Sequence, residues 1–167
     1  RVRDGVASLT YRYGKESERK LADGVVAGLV QCARYAITVT EQDFCIWETK
    51  RSRERAIALQ AAGASRSGEE SHHVPDVHGA VHALDAVPWI AGGPRWIAAP
   101  GLVVAKAWHR AATKYDVPIT WGGMWERLLA SLDPTCLEQE VIDYQIRFRA
   151  RHGRNPLVDI WHFHVPR

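Results

Sequence analysis

The sequence predicts an α+β fold in a single domain that spans residues 1–167. Segments with helical periodicity and short segments with strand-like alternation follow one another unevenly, without the regular order of a doubly wound parallel sheet. Of the 167 residues, 46% are hydrophobic and 25% are charged, which is typical of one globular domain with a sizeable core. No internal repeat or linker divides the sequence.

The first 63 residues contain two predicted helices and one predicted strand. Apolar residues recur at helical spacing over residues 17–36, with Ser17 as the N-cap. Residues 38–48 alternate between apolar and polar side chains around a polar break, which predicts a strand. Residues 52–62 show a second helical pattern, and Gly63 supplies a typical C-terminal stop.

The rest of the chain is predicted to combine short strands with two further helices. In order, the sequence predicts a polar loop at 64–77, a strand at 81–87, a turn at 92–94, a helix at 101–115, a strand at 118–121, a helix at 134–153 and a final strand at 160–165. Asp133 followed by Pro134 favours a helix start, with aspartate as the cap and proline at the first helical position.

Composition and charge narrow the function classes. The net charge of +3 and the pI near 8.9 suit an anionic polymer such as the bacterial wall. The basic residues form no stripe with interleaved aromatics, so we expect no nucleic-acid partner. No apolar run reaches the length of a membrane span, and the first residues do not resemble a signal peptide. Three scattered cysteines indicate a reducing compartment. We also expect the protein to be a monomer.

Four residues offer the parts of a catalytic metal site. His78 and Asp85 are seven residues apart, and Asp159 and His162 stand together near the C-terminus. Two imidazoles and a carboxylate can hold one Zn²⁺ with a fourth position open, and a second carboxylate can act as general base. Asp85 lies on an otherwise apolar strand face, where an unpaired carboxylate is costly. A cation or a set of hydrogen-bond donors must therefore compensate it.

Neighbouring histidines leave alternatives open. His78 and His82 form an HxxxH pair, but Gly79 stands where the helical zinc proteases have their catalytic glutamate. His162 and His164 share a strand face and could bind one ion as an HxH pair. The remaining histidines of this region are interpreted as loop residues at which a stray metal ion could bind, and they are His72 and His73.

Several motifs together resemble one family. The segment 76–88 resembles the phage-type pattern Ser-x-His-x-x-Gly-His-Ala-x-Asp-x-x-Pro. The matching positions are His78, His82, Ala83, Asp85 and Pro88. Three further segments agree in order, and they are Glu48-Thr49-Lys50-Arg51-Ser52, Trp121-Gly122-Gly123 and Asp159-Ile160-Trp161-His162-Phe163. The chain thus resembles the LAS group of zinc peptidases, which includes D-Ala-D-Ala dipeptidases and carboxypeptidases and the phage L-alanyl-D-glutamate endolysins.

The sequence departs from the family pattern at several positions. Asp76 stands in place of the usual serine, Val81 in place of glycine, Thr49 in place of glycine and Met124 in place of aspartate. These departures bear on substrate preference more than on the fold. Relative to the shortest members, residues of about 126–156 are interpreted as a helical insertion.

The resemblance implies a fold like that of the Hedgehog and DD-peptidase domains, with a small antiparallel sheet flanked by helices, and Zn²⁺ as cofactor. It makes His78, Asp85 and His162 the zinc ligands and Asp159 the general base. Arg51 would stabilise the oxyanion or bind a substrate carboxylate. The candidate substrate contacts are His82, Trp121 and Trp161.

The implied function is that of an endolysin that hydrolyses the L-Ala–D-Glu bond of the stem peptide in bacterial peptidoglycan. Such an enzyme would stay in the host cytoplasm until its release. Two alternatives remain at this stage: a D-Ala-D-Ala carboxypeptidase or dipeptidase on the same scaffold, and a catalytically silent wall-binding module.

Overall fold

The computed structural model describes residues 10–65 and 67–167. Its helices are α1 (Lys15–Ala22), α2 (Ala27–Val39), α3 (Arg53–Ala61), α4 (Ala98–Tyr115) and α5 (Leu137–His152). Its strands are β1 (Phe44–Glu48), β2 (Ala83–Ile90), β3 (Gly93–Pro94), β4 (Thr120–Trp121), β5 (Met124–Leu128) and β6 (His162–His164), and short 3₁₀ helices lie at Gly68–Glu70 and Leu129–Ser131. None of the helices in the described part of the chain combines the length and the apolar character needed to cross a bilayer.

The strands form one sheet in the order β1-β2-β6-β4-β5, with β3 paired to the end of β2. Every strand pair is antiparallel. The long strand β2 lies between β1 and β6, and its register sets Asp85 opposite His162 and Ala83 opposite His164. This architecture confirms the predicted α+β fold with a small antiparallel sheet flanked by helices.

One face of the sheet packs against α4, which in turn packs against α2, and these layers form the core. Leu84 and Ala86 of β2 and Phe44 and Ile46 of β1 belong to this core, and each is at most 2% exposed. Because side chains alternate along a strand, Asp85 lies on the opposite face of the sheet. The face that the core helices leave free therefore carries the buried carboxylate that the sequence singles out.

The helix predicted over residues 17–36 is two helices, because the chain turns between α1 and α2. Gly24 adopts a left-handed conformation (φ +78°), and its carbonyl accepts a hydrogen bond from the N–H of Val81 (2.8 Å). Ser17 is not an N-cap but lies inside α1, where its Oγ accepts a hydrogen bond from the N–H of Ile46 (3.1 Å). This bond covers the outer edge of β1, which would otherwise be unpaired.

Other boundaries differ for local reasons. The strand predicted over 38–48 begins only at Phe44, because α2 continues further than expected. Asp133 does not cap α5, since its Oδ1 accepts a hydrogen bond from the N–H of Thr135 (2.8 Å) in the turn before that helix. The helix predicted over 52–62 is confirmed as α3.

The segment of about 126–156 is not wholly helical. It contains most of β5 and the second 3₁₀ helix before α5 begins. Its interpretation as an insertion relative to shorter members of the family stays a prediction.

The Gly122-Gly123 turn joins β4 to β5 in a hairpin that the sequence analysis does not predict. The N–H of Gly122 donates to the carbonyl of His162 (2.9 Å), and its own carbonyl accepts a hydrogen bond from the N–H of Asp159 (2.9 Å). A Cβ added at Gly122 would lie 2.1 Å from the carbonyl oxygen of Asp159. The hairpin can therefore approach the segment that precedes β6 only if this residue is glycine.

We expect Gly122→Ala to destabilise the protein by about 1–3 kcal/mol and lower its Tm by roughly 2–12 °C, because the methyl group meets backbone. Thermal unfolding followed by circular dichroism measures the shift. Gly93→Ala is the matched control, since no atom lies within 4 Å of a Cβ added there. Equal melting temperatures for the two variants would contradict the proposed close approach.

Candidate active site and metal centre

Three side-chain donor atoms meet on the free face of the sheet. His73 Nε2 lies 3.1 Å from His162 Nδ1 and 3.3 Å from Asp85 Oδ1, and the last two atoms are 3.1 Å apart. The three atoms therefore form a nearly equilateral triangle, which we call the donor triangle. The side chain of His73 is 2% exposed, that of Asp85 18% and that of His162 12%. Bulk water thus has little access to the three groups.

The size of the donor triangle fits a metal ion. Bonds of about 2.0–2.1 Å at tetrahedral angles place neighbouring zinc ligands about 3.3 Å apart. The three edges, from 3.1 to 3.3 Å, are close to that separation. Three protein donors also leave a fourth position for water or substrate, which is typical of catalytic sites.

The hydrogen bonds of His73 orient it as a ligand. Its Nδ1 lies 2.7 Å from the carbonyl oxygen of Thr49, and a carbonyl can only accept, so Nδ1–H donates. The neutral ring therefore presents the lone pair of Nε2 to the donor triangle. Metal-binding histidines are usually oriented by such a bond from the other ring nitrogen. Without a cation or a proton between them, this lone pair would face the carboxylate of Asp85.

The two aspartates of the site have pKa shifts in opposite directions. Burial opposes ionisation of Asp85, but the adjacent imidazoles of His73 and His162 outweigh it and hold its pKa well below the usual range. Burial raises the pKa of Asp159, and the negative charge of Asp85 raises it further. Carboxyl groups whose pKa values are pushed apart in one cavity are typical of acid–base sites.

His73 lies on a loop. The two other members of the donor triangle, Asp85 and His162, lie on β2 and β6. The carbonyl of His73 accepts a hydrogen bond from the N–H of Arg51 (2.9 Å). The side chain of Arg167 donates to the carbonyls of Ser71 (2.6 Å) and Val74 (2.8 Å) on either side of it. These bonds hold the loop in place and so fix the position of the imidazole.

The structure does not bring His78 to the donor triangle. His78 lies on an exposed turn, where its N–H donates to Asp76 Oδ1 (2.8 Å). Asp76 organises this turn, because Oδ1 also accepts a hydrogen bond from the N–H of Ala80 (3.0 Å) and Oδ2 lies 2.9 Å from His82 Nε2. His73 occupies the place predicted for His78, which corrects the predicted ligand set.

The sequence contained a signal for His73. The family segment opens with Ser-x-His, and Ser71 and His73 match that opening. His73 and Asp85 are twelve residues apart rather than seven, because residues 74–80 form an additional turn. His78 keeps the interval of seven residues to Asp85 that the family pattern shows, and a search by spacing therefore selects it.

Arg51 lines the same cavity as the donor triangle, and its charge is paired. The residue is 9% exposed, and its Nε and Nη2 both donate to Glu48 Oε2, with Nε at 3.2 Å. The other carboxylate oxygen of Glu48 accepts a hydrogen bond from Arg55 Nε (3.2 Å). Glu48 therefore fixes the Arg51 guanidinium in one orientation and offsets its charge.

The three predicted substrate contacts lie outside the cavity wall. Trp121 is fully buried in the core opposite Phe163, and its Nε1 donates to the carbonyl of Ile160 (2.8 Å). Trp161 packs against the same core. His82 is directed to the turn that Asp76 organises. These three side chains do not line the cavity that holds the donor triangle.

Trp125, which no sequence motif singles out, covers the histidines of β6. Its ring centroid lies 5.4 Å from that of His162 and 5.7 Å from that of His164. Burial lowers the pKa of His164 to about 3 and that of His72 to about 4, and neighbouring positive charges contribute to both shifts. Both rings are therefore neutral at pH 7. His164 lies outside the donor triangle, so the geometry does not support the HxH alternative.

The donor triangle and Asp159 line a cavity of about 570 Å³, a size that suits a short peptide. The loop after α3 contributes Ser65 and Ser67 to its wall. The opposite wall comes from α5 and the residues that follow it, and includes Phe148 and Arg154. The segment of about 126–156, predicted as an insertion, therefore shapes the site.

The whole structure is similar to that of a known peptidase. The crystal structure of Serratia marcescens L-Ala D-Glu endopeptidase ChiX matches with a TM-score of 0.67 at 24% sequence identity, over 98% of this chain and 94% of that chain. At this identity the similarity establishes the fold. No curated protein matches the sequence.

The sequence itself matches a family model described as phage L-alanyl-D-glutamate peptidase over residues 9–143. The match covers about four fifths of the chain. It includes His73 and Asp85, whereas Asp159 and His162 lie beyond its end. The chain therefore belongs to the phage L-alanyl-D-glutamate peptidases, enzymes that hydrolyse the bond between L-alanine and D-glutamate in peptidoglycan.

Proposed function

We propose that this peptidase is a zinc-dependent endolysin, a monomer that stays in the host cytoplasm until release and then cuts the stem peptide of the wall. Family membership supplies the bond that is cut. The donor triangle is the observation that carries the metal dependence, because three lone-pair donors at 3.1–3.3 Å need a cation or a proton among them. We assign zinc because its tetrahedral ligand spacing fits the triangle and its usual ligands include imidazole and carboxylate.

The geometry supports a set of three ligands. His73 would bind through Nε2, His162 through Nδ1 and Asp85 through Oδ1. When bound, zinc supplies Lewis-acid chemistry, which polarises a carbonyl and activates water at neutral pH. The bond from His73 Nδ1–H to the Thr49 carbonyl selects the neutral tautomer whose lone pair is on Nε2, so this ring is already oriented to bind.

We assign the proton transfers to Asp159. Its carboxyl group lines the same cavity, and its raised pKa makes the carboxylate a better base than an exposed aspartate. The carboxylate would accept a proton from the attacking water and then deliver it to the nitrogen of the departing D-glutamate. Asp85 cannot share this role, because its neighbours hold it ionised.

Arg51 is proposed to stabilise the negative charge that develops on the carbonyl oxygen. Its guanidinium is fixed by Glu48 at the cavity wall. A donor that is already oriented needs little reorganisation when charge develops, and such donors are effective in catalysis. We prefer this role to binding of a substrate carboxylate, since Glu48 already neutralises the arginine.

The bond that is cut can be identified directly. We expect digestion of purified peptidoglycan to release peptides with a new N-terminal D-glutamate and to leave L-alanine on the glycan. Mass spectrometry of the products, with and without a chelator, tests both the bond and the metal dependence. Release of free D-alanine instead would favour the carboxypeptidase alternative and contradict the proposal.

A pair of histidine variants tests the ligand set. His73→Ala should weaken zinc binding by more than the about 10- to 100-fold that loss of an outer hydrogen-bond partner costs, because it removes a ligand atom. His78→Ala is the matched control and should bind zinc like the wild type, since His78 is exposed on the neighbouring turn. Isothermal titration with Zn²⁺ measures both affinities. The reverse order of affinities would restore His78 as the ligand.

The role of Asp159 is tested by separating metal binding from activity. Asp159→Asn should retain zinc and lower kcat by about 10²- to 10⁴-fold, because the amide cannot accept the proton. Asp116→Asn makes the same chemical change at an exposed left-handed residue (φ 52°), a conformation that asparagine tolerates, and should keep full activity. Loss of zinc from Asp159→Asn would make Asp159 a ligand rather than the base.

A further inference from the structure

Three tryptophans are exposed close together on the sheet, whereas other tryptophans of the chain are buried in the core. Trp47 is 45% exposed, Trp89 41% and Trp96 49%. The rings of Trp47 and Trp96 meet edge to face, with centroids 5.0 Å apart and an interplanar angle of 86°. We call these three residues the tryptophan patch. Large apolar side chains that cluster at the surface mark interaction sites.

The tryptophan patch lies on the same face of the sheet as the donor triangle. Leu84 and Ala86 belong to the main core, so Asp85, Val87 and Trp89 alternate onto the opposite face of β2. Val87 is 0% exposed although it points away from that core.

The two other tryptophans flank β2 at the level of Val87. Trp47 lies at the bulge of β1, on one side of β2. Trp96 follows Arg95, whose N–H donates to the carbonyl of Pro88 (2.8 Å) on the other side. The two rings meet across β2, whose free face also carries Trp89.

The distance between the patch and the donor triangle is short. Two residues of a strand span about 7 Å, so Val87 lies one pleat beyond Asp85 along β2. The patch lies toward β1 and β3. The part of the cavity wall made by α5 lies on the other side of the donor triangle, because α5 packs near β5. A substrate that crosses the metal site can therefore reach both surfaces.

The chemistry of the substrate indicates what the patch would contact. L-alanine is the first residue of the stem peptide and is joined through its nitrogen to an acetylated amino sugar of the glycan. The sugar is thus one residue away from the bond that the family hydrolyses. The faces of a pyranose ring carry C–H groups that pack on indole rings, while its hydroxyl groups stay in water at the edges. An exposed indole pair offers such a ring an apolar stacking surface with a polar edge.

We propose that Trp47, Trp89 and Trp96 form a subsite for the glycan strand of peptidoglycan, on the alanine side of the scissile bond. This inference rests on the proposed function, because it assumes that the stem peptide crosses the donor triangle. The patch then gives the enzyme a preference for stem peptides that are still attached to sugar over free peptides of the same sequence.

Two soluble substrates with the same stem peptide, one free and one carrying the amino sugar disaccharide, test the proposal. Wild-type enzyme should show a higher kcat/KM for the sugar-bearing substrate. Trp47→Ala and Trp96→Ala should each reduce the ratio of the two kcat/KM values by about 2- to 12-fold, the range found for stacked aromatic pairs. Ile146→Ala is the control for loss of an exposed apolar side chain, since Ile146 is 62% exposed on α5.

A second measurement does not depend on cleavage. Peptide-free glycan strands should retain the wild type in a sedimentation assay and fail to retain the variant with both Trp47→Ala and Trp96→Ala. An enzyme that cuts neither substrate but is still retained would overturn the proposed function and leave the subsite standing.

Three results would overturn the subsite itself: no preference for the sugar-bearing substrate, an unchanged ratio in the double variant, or equal retention of both proteins. A wild-type dimer that becomes monomeric in the double variant, shown by analytical ultracentrifugation, would instead make the patch an interface between copies of the chain. Thermal unfolding of each variant verifies that it is folded.

Discussion

The register between β2 and β6 is the constraint on which the site depends, because it places Asp85 opposite His162. A shift of one residue would turn the carboxylate into the core and Leu84 or Ala86 onto the free face. The burial of those two side chains in the core, where β2 packs against α4, therefore selects the register. Packing on the core face of the sheet therefore determines which side chains meet at the site on the opposite face.

The third member of the donor triangle is held by different means. His73 lies on a loop, and its position depends on hydrogen bonds from Arg51 and Arg167 to the backbone around it. Arg167 stands at the end of the described chain, and Arg51 begins the segment that leads into α3. The donor triangle thus joins the central sheet, a loop and the C-terminal segment. Loss of any of these contacts should affect metal binding before it affects the core.

Local patterns predicted most of the fold, and the misses have physical causes. The helix α3 follows from its helical pattern and a glycine stop. The break between α1 and α2 is marked locally by Gly24, but the helical periodicity continues across it, and a contact between Gly24 and the distant Val81 fixes the turn. The hairpin at Gly122 likewise depends on its approach to Asp159. Long-range contacts of this kind override local propensity.

The site was predictable in its chemistry but not in every residue. Asp85 was identified because a carboxylate on an apolar strand face needs a partner, and the structure supplies two imidazoles. His73 was missed because an additional turn lengthens the loop, while His78 keeps the expected spacing. Trp121 was chosen from a motif, but strand alternation buries it in the core. Motif spacing identifies ligand types more reliably than it identifies positions in loops of variable length.

A crystal of the zinc-loaded protein, with diffraction measured on both sides of the zinc absorption edge, tests the central claim most directly. The account predicts one strong anomalous peak about 2.0–2.2 Å from His73 Nε2, His162 Nδ1 and a carboxylate oxygen of Asp85. A peak bound by His78 or His164, or a fully loaded protein with no peak inside the donor triangle, would contradict it.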